Sequence, residues 1–155
     1  MVGGGLVGKQ AGLLAGRLDQ ACEAYREALD RDPNLTDARG NLEIMALELG
    51  YRYFDGGKPE EALALVPEWT TNTELLFLKA VSEHGLGRLE DSRKTLETLN
   101  GLNNSFAESH WNLALVCRSL GDSEGARTAL NRFRELAPGD DRARALEEAL
   151  SETPF

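Results

Sequence analysis

β-branched aliphatic residues are scarce in this chain: five Val and one Ile among 155 residues. A pleated sheet needs such side chains to cover its faces, so a β-sandwich or a parallel α/β sheet is excluded at the outset. Cysteine and histidine are equally thin, at two each (Cys22, Cys117, His84, His110), and no zinc-type ligand spacing can be built from them. Cations are outnumbered: 17 Lys and Arg face 26 Asp and Glu, for a net charge of -9. An acidic chain repels phosphate, so nucleic-acid binding through a broad basic surface is not expected. No run of about 18 apolar residues is present, so no membrane-spanning helix is expected. The start, MVGGGLVGKQAGLLAG, has neither a basic leader nor a cleavage site, so it does not read as a signal peptide. These absences of export and membrane signals point to the cytoplasm.

Leu and Ala are abundant instead, 26 and 18 residues, and both favour helices because they lose little side-chain freedom there. The phrase GRLDQACEAY (16–25) recurs as GKPEEALALV (57–66), GRLEDSRKTL (87–96) and GDSEGARTAL (121–130). Each copy opens on Gly. A small residue follows five places on: Ala21, Ala62, Ser92 and Ala126. A larger one stands four places further: Tyr25, Val66, Leu96 and Leu130. Seven places before the Gly, three copies hold a second small residue (Gly50, Ala80, Ala114), whereas the first copy holds Lys9.

That pattern describes a helical hairpin. The Gly serves the turn, the small residues let two helix backbones cross closely, and the larger residues fill the groove beside the crossing. Pro33 and Pro138 each stand twelve residues after the small residue of their copy, where they end the second helix. Pro59 opens a helix with Glu60 and Glu61 in its first turn, and Ser105 with Glu108 has capping-box spacing. Cys22 and Cys117 lie on apolar helical patterns and read as buried small hydrophobes.

On these residues the chain resembles the tetratricopeptide repeat family, whose units are 34-residue helix–turn–helix pairs. The stretch AESHWNLALVCRSLGDSEGARTALNRFRELAPGD (107–140) carries the likeness best, with Leu113, Ala114, Ala126, Leu130 and Pro138 in register. Phe133 departs, standing where the family usually has a small residue. The resemblance implies an all-α fold, a right-handed superhelical solenoid of about four hairpins plus a C-terminal capping helix. It divides a single domain, 1–152, into repeats over 2–35 (its first helix degenerate), 36–72, 73–106 and 107–140. A capping helix follows over 141–152, then a tail, 153–155.

The spacings between the small residues are 41, 30 and 34. The extra seven fit a first helix lengthened by two turns within 36–57, which keeps its apolar stripe on one side. The missing four fit a second helix cut about one turn short by Pro67, Thr70 and Thr71. In the tail helix Ala143, Leu146 and Leu150 share one face, which suits a cap on the end of a stack. The Gly-rich N-terminus has no such cap, and its glycines weaken a helix. It reads as a segment that a partner completes, or as a route to a homo-oligomer.

GGGLVGKQ also fits G-x-x-x-x-G-K, but no strand precedes it and Gln10 stands where a phosphate loop needs Ser or Thr. The carboxylates lie on helix starts and polar faces without a partnered base. No enzyme activity, cofactor or metal is therefore expected.

The family's pattern turns the fifth, ninth and twelfth positions of each repeat into a concave groove. Here these are Leu47, Tyr51 and Phe54, then Phe77, Val81 and His84, then Trp111, Leu115 and Arg118. They either line an open groove or pack against neighbouring helices. As a groove they suit the apolar face of a helix or an extended peptide. The family's charged variant binds a C-terminal carboxylate with Lys, Arg and Asn on that face. Here Arg118 is the one clear cation, so no such clamp is expected. The resemblance thus implies a protein-interaction scaffold or adaptor, with a peptide or amphipathic helix, basic in character, as partner. A self-associating assembly subunit or a secretion or envelope-assembly chaperone is the alternative.

Overall fold

The computed structural model describes residues 3–152, with side chains from Gly12 onward. Its helices are α1 (Gly3–Arg31), α2 (Thr36–Asp55), α3 (Pro59–Leu65) and α4 (Thr73–Gly85), then α5 (Leu89–Leu102), α6 (Ala107–Ser119), α7 (Ser123–Leu136) and α8 (Arg142–Glu152). No strand occurs among the described residues, so the fold is all-α, as the scarcity of Val and Ile demands. The expected tail 153–155 lies outside them. Where the sequence reads as one array over 1–152, the chain divides within α4, between Leu78 and Lys79, into two compact units.

Three of the four pattern glycines make the turns between paired helices. Gly57, Gly87 and Gly121 have φ of +75°, +74° and +78°, a left-handed conformation that costs other residues about 1–2 kcal/mol. Gly16 does not. The sequence places a turn there, yet α1 runs unbroken from Gly3 to Arg31. The first copy is also the one that carries Lys9, where the other copies carry Gly or Ala, seven places before its Gly. The stretch that mimics a phosphate loop, Gly3 to Gln10, is helical backbone within α1.

In the first unit, α1 packs on α2 and α2 on α3. Leu18, Cys22 and Leu29 of α1 meet Leu42, Ala46 and Leu49 of α2, with Ala62, Leu65, Leu75 and Leu78, in one apolar core. Gly50 is buried where α2 packs on α3, beside the Ala62 carbonyl, and a Cβ there would run into Leu78 Cδ2 of α4. The lengthened α2 holds 20 residues. The following helix is clipped more than the sequence implied: α3 holds 7 residues against 14 in α5 and in α7, so about two turns are missing, not one. Pro67 acts one residue early. Its ring disfavours helical dihedrals at Val66, which is extended at φ -73° and ψ 118°. The loop that follows is fastened by Thr70, whose Oγ1 donates to Glu43 Oε1 at 2.6 Å. Asn72 then caps α4 by accepting from the Glu74 and Leu75 amides at 3.0 and 3.2 Å.

In the second unit, Ser92 and Ala80 occupy the crossing between α4 and α5, and Ser92 Oγ donates to the Ala80 carbonyl at 2.8 Å. α6 packs on both α5 and α7, and α8 on α7. Ala114, Cys117, Ala126, Ala129, Leu130 and Phe133 form the core with Ala143, Leu146 and Leu150 of α8, which acts as the expected cap. The capping box at Ser105 and Glu108 does not form. The Ser105 amide donates to Asn103 Oδ1 at 3.1 Å, a local turn that delays the helix start to Phe106. Glu108 is drawn instead to Arg142.

Candidate functional site

In the first unit, Leu47, Tyr51 and Phe54 stand on one side of α2, half-buried against the core. Burial pushes the Tyr51 phenol above its ordinary value, and the Glu74 and Asp55 carboxylates add to the rise. Tyr51 therefore stays a neutral, amphipathic surface with a polar tip. Ile44 extends the same stripe, since 44, 47 and 51 are spaced i, i+3, i+7. It is 61% exposed. The sequence reading passed over Ile44, although that spacing could have found it. Phe77, on α4, is half-buried.

In the second unit, Val81 and His84 of α4 are half-buried, as is Leu115 of α6. Arg118 is exposed and has no ion-pair partner among the described residues. Trp111 is in a different position from the other aromatics. Its ring lies 5.3 Å from that of Phe133 at 47°, and the Arg142 guanidinium sits 5.1 Å over it. Arg142 is fixed from two sides. It reaches Glu108 Oε1 and Oε2 at 2.6 and 3.1 Å, and Asp140 Oδ2 at 2.8 Å. Those hydrogen bonds hold the Asp140 carboxyl below, and the Arg142 guanidinium above, their ordinary ranges. The first turn of α8 thus covers part of the Trp111 face. Phe133, the departure from the family pattern, supplies the buried ring beneath it.

The remaining titratable candidates have structural roles. His110 is buried, and its Nε2 donates to the Asn104 carbonyl at 3.1 Å. Burial lowers its pKa, so it is neutral at pH 7. Cys22 and Cys117 are free and buried, and burial raises both thiols. Among the described residues, no three His, Cys, Asp or Glu side chains converge as metal ligands, and no helix is long and apolar enough to cross a membrane.

Sequence models described as tetratricopeptide repeat match residues 11–35 and 75–141, together more than half of the chain. No curated protein matches. Among solved structures, that of MamA is 27% identical, with a TM-score of 0.70 over 88% of this chain and 78% of that one. The first tetratricopeptide domain of Spaghetti (RPAP3), bound to the HSP90 peptide SRMEEVD, is 22% identical, with a TM-score of 0.64 over 70% and 95%. PcrH, from Pseudomonas aeruginosa, in complex with the chaperone binding region of PopB, is 20% identical, with a TM-score of 0.59 over 72% and 93%. The last two likenesses speak for the fold alone. With three left-handed Gly turns, small residues at the helix crossings and the two matched stretches, the chain belongs to the tetratricopeptide repeat family.

Proposed function

We propose that this chain is a non-enzymatic protein-interaction scaffold that holds a peptide or amphipathic helix of a partner on the inner faces of its first helices. The observation that carries this reading is the apolar stripe of α2. Ile44, Leu47, Tyr51 and Phe54 follow one side of a helix, and Ile44 stands largely in solvent. Such a stripe offers an apolar surface to a helix face, and aromatic anchors dominate binding energy at interfaces. Val81, His84, Leu115 and Arg118 extend the reading to the second unit, with Arg118 a free cation at its edge. Phe77 and Trp111 belong to it as well, Trp111 with only the part of its ring that Arg142 leaves open. The net charge of -9 favours a basic partner by steering its approach. The structural neighbours named above that were captured with peptides support a peptide partner, and a cytoplasmic site of action is part of the reading.

Capture of the partner from the native source by folded variants tests it. Tyr51→Ala with Phe54→Ala should weaken capture by about 30-fold or more, the scale of losing hot-spot side chains. Undiminished capture by that double variant, and by Trp111→Ala with Phe77→Ala, contradicts the assignment.

One observation favours a second reading, self-association through α1. Leu13 and Leu14 are 67% and 40% exposed on a helix that has no folded-back first half to cover them. Light scattering across concentration, with and without residues 1–12, separates the two: a strict monomer in both forms removes self-association.

A further inference from the structure

A cleft of about 600 Å³ lies between α5 and α7, with α6 as its floor. Its volume is that of ordinary ligand sites. We propose that this cleft is a binding site for a lysine or arginine side chain of a basic peptide, separate from the inner faces described above.

The floor is His110, Leu113 and Cys117. Their spacing puts them on one stripe of α6, roughly 130° around the helix from Trp111, Leu115 and Arg118 at 3.6 residues per turn. One helix therefore serves two surfaces that do not compete. Both ends of the cleft are closed by arginines. At one end Arg93 of α5 pairs with Asp122, the cap of α7, at 3.3 Å. At the other, Arg132 of α7 donates to the Asn104 carbonyl at 3.2 and 3.3 Å. Asp122 is built into its place, because its Oδ1 accepts from the Gly125 amide at 2.8 Å and a Cβ at Gly125 would collide with its carboxylate.

These two arginines are already engaged. Arg93 also donates to Glu97 Oε1 at 3.1 Å, and Arg132 to Glu135 Oε2 at 2.8 Å. His110 adds no positive charge, since it is neutral and donates to Asn104. The balance of charge around the space is acidic: Glu97, Asp122 and Glu124 line it against Arg93 and Arg132. Glu97 on α5 keeps Oε2 without a donor, and Glu124 on α7 has no ion-pair partner among the described residues. A cationic head fits between these two walls, and its aliphatic stem fits over Leu113 and Ala129, as long basic side chains prefer. A carboxylate ligand would meet the same two glutamates and find both arginines occupied. The negative chain raises the local concentration of basic peptides at the mouth.

The test is an NMR titration of the ¹⁵N-labelled full chain with two synthetic peptides, acetyl-LKLKLK-amide and acetyl-LELELE-amide. The lysine peptide should move the amides of Glu97, His110, Leu113, Glu124 and Thr128 saturably, and the glutamate peptide should not. Glu97→Gln with Glu124→Gln should weaken the lysine peptide by about tenfold or more. Thr128→Trp, which fills the cleft without changing charge, should do the same. Tyr51→Ala should leave this titration unchanged, which separates its failure from that of the inner-face reading. Shifts confined to other surfaces, equal response to both peptides, or folded Gln and Trp variants that bind as the parent does would overturn the proposal. If a variant does not fold, the wild-type shift map decides.

Discussion

The hairpins α2–α3 and α6–α7 use the same device and end differently. Both turn on a left-handed Gly, Gly57 or Gly121, and both cross at small residues, Gly50 with Ala62 and Ala114 with Ala126. Yet α3 has 7 residues and α7 has 14. The later helix buries Ala126, Ala129, Leu130 and Phe133, whereas α3 buries only Ala62 and Leu65. Local chemistry at the turn therefore fixes that a hairpin forms. The distance to the next proline fixes how much core its second helix contributes, and Pro67 intervenes far sooner than Pro138.

The largest expected effect falls on the longer helix. Phe133→Ala removes a fully buried ring beneath Trp111 and should cost about 3–5 kcal/mol in urea unfolding of the full chain. Leu65→Ala in the short helix should cost less, about 2–4 kcal/mol. Equal losses would mean that helix length does not govern how much each hairpin contributes.

The turn glycines supply a contrast of sign. Gly121→Ala places a side chain at φ +78° and should destabilise by about 1–2 kcal/mol. Gly16→Ala lies inside α1 with nothing within 4 Å and should stabilise by about 0.5–1 kcal/mol. Destabilisation at Gly16 in thermal melts would indicate that the first copy turns there as the other three do.

Pro67→Ala should let Val66 enter the helical region and lengthen α3 by about one turn, visible as a small gain in far-UV helicity. An unchanged spectrum would assign the clipped helix to the Thr70–Glu43 tie instead.

The smallest expected effect is a pH slope. Glu83 is buried on α4 and accepts from Thr95 Oγ1 at 2.8 Å, and burial raises its pKa above the ordinary 4.5. A raised carboxyl contributes stability while protonated, so that contribution is full below about 4.5 and is lost as pH rises through the higher folded value. Glu83→Gln keeps an acceptor for Thr95 and should flatten this part of the stability profile. A slope identical to the parent's would remove Glu83 as its source.

Much of this was written in the sequence. The scarcity of Val and Ile, the recurring Gly and the small residue five places on carry the helical class and three of four turns. The fourth does not form, because Gly16 lies inside the unbroken α1. The length of α3 was misjudged by a turn because proline restricts the residue before it as well as its own position. At the candidate site, the family's pattern names Leu47, Tyr51 and Phe54, and their helical spacing keeps them on one side of α2. The covering of Trp111 could not be read that way. It depends on Arg142, which lies 31 positions away and is aimed by Glu108 and Asp140. The cleft between α5 and α7 is likewise assembled from three helices, and no single stretch announces it.

The account rests on the inner stripe of α2 meeting a partner. A photo-crosslinking residue placed at Phe54, and in a second protein at the exposed Arg52 on another side of α2, tests that directly in extracts of the native source. The expected result is a discrete crosslinked partner from position 54, competed away by the unlabelled chain, and none from position 52. Crosslinking from position 52 alone, or equally from both, would contradict it.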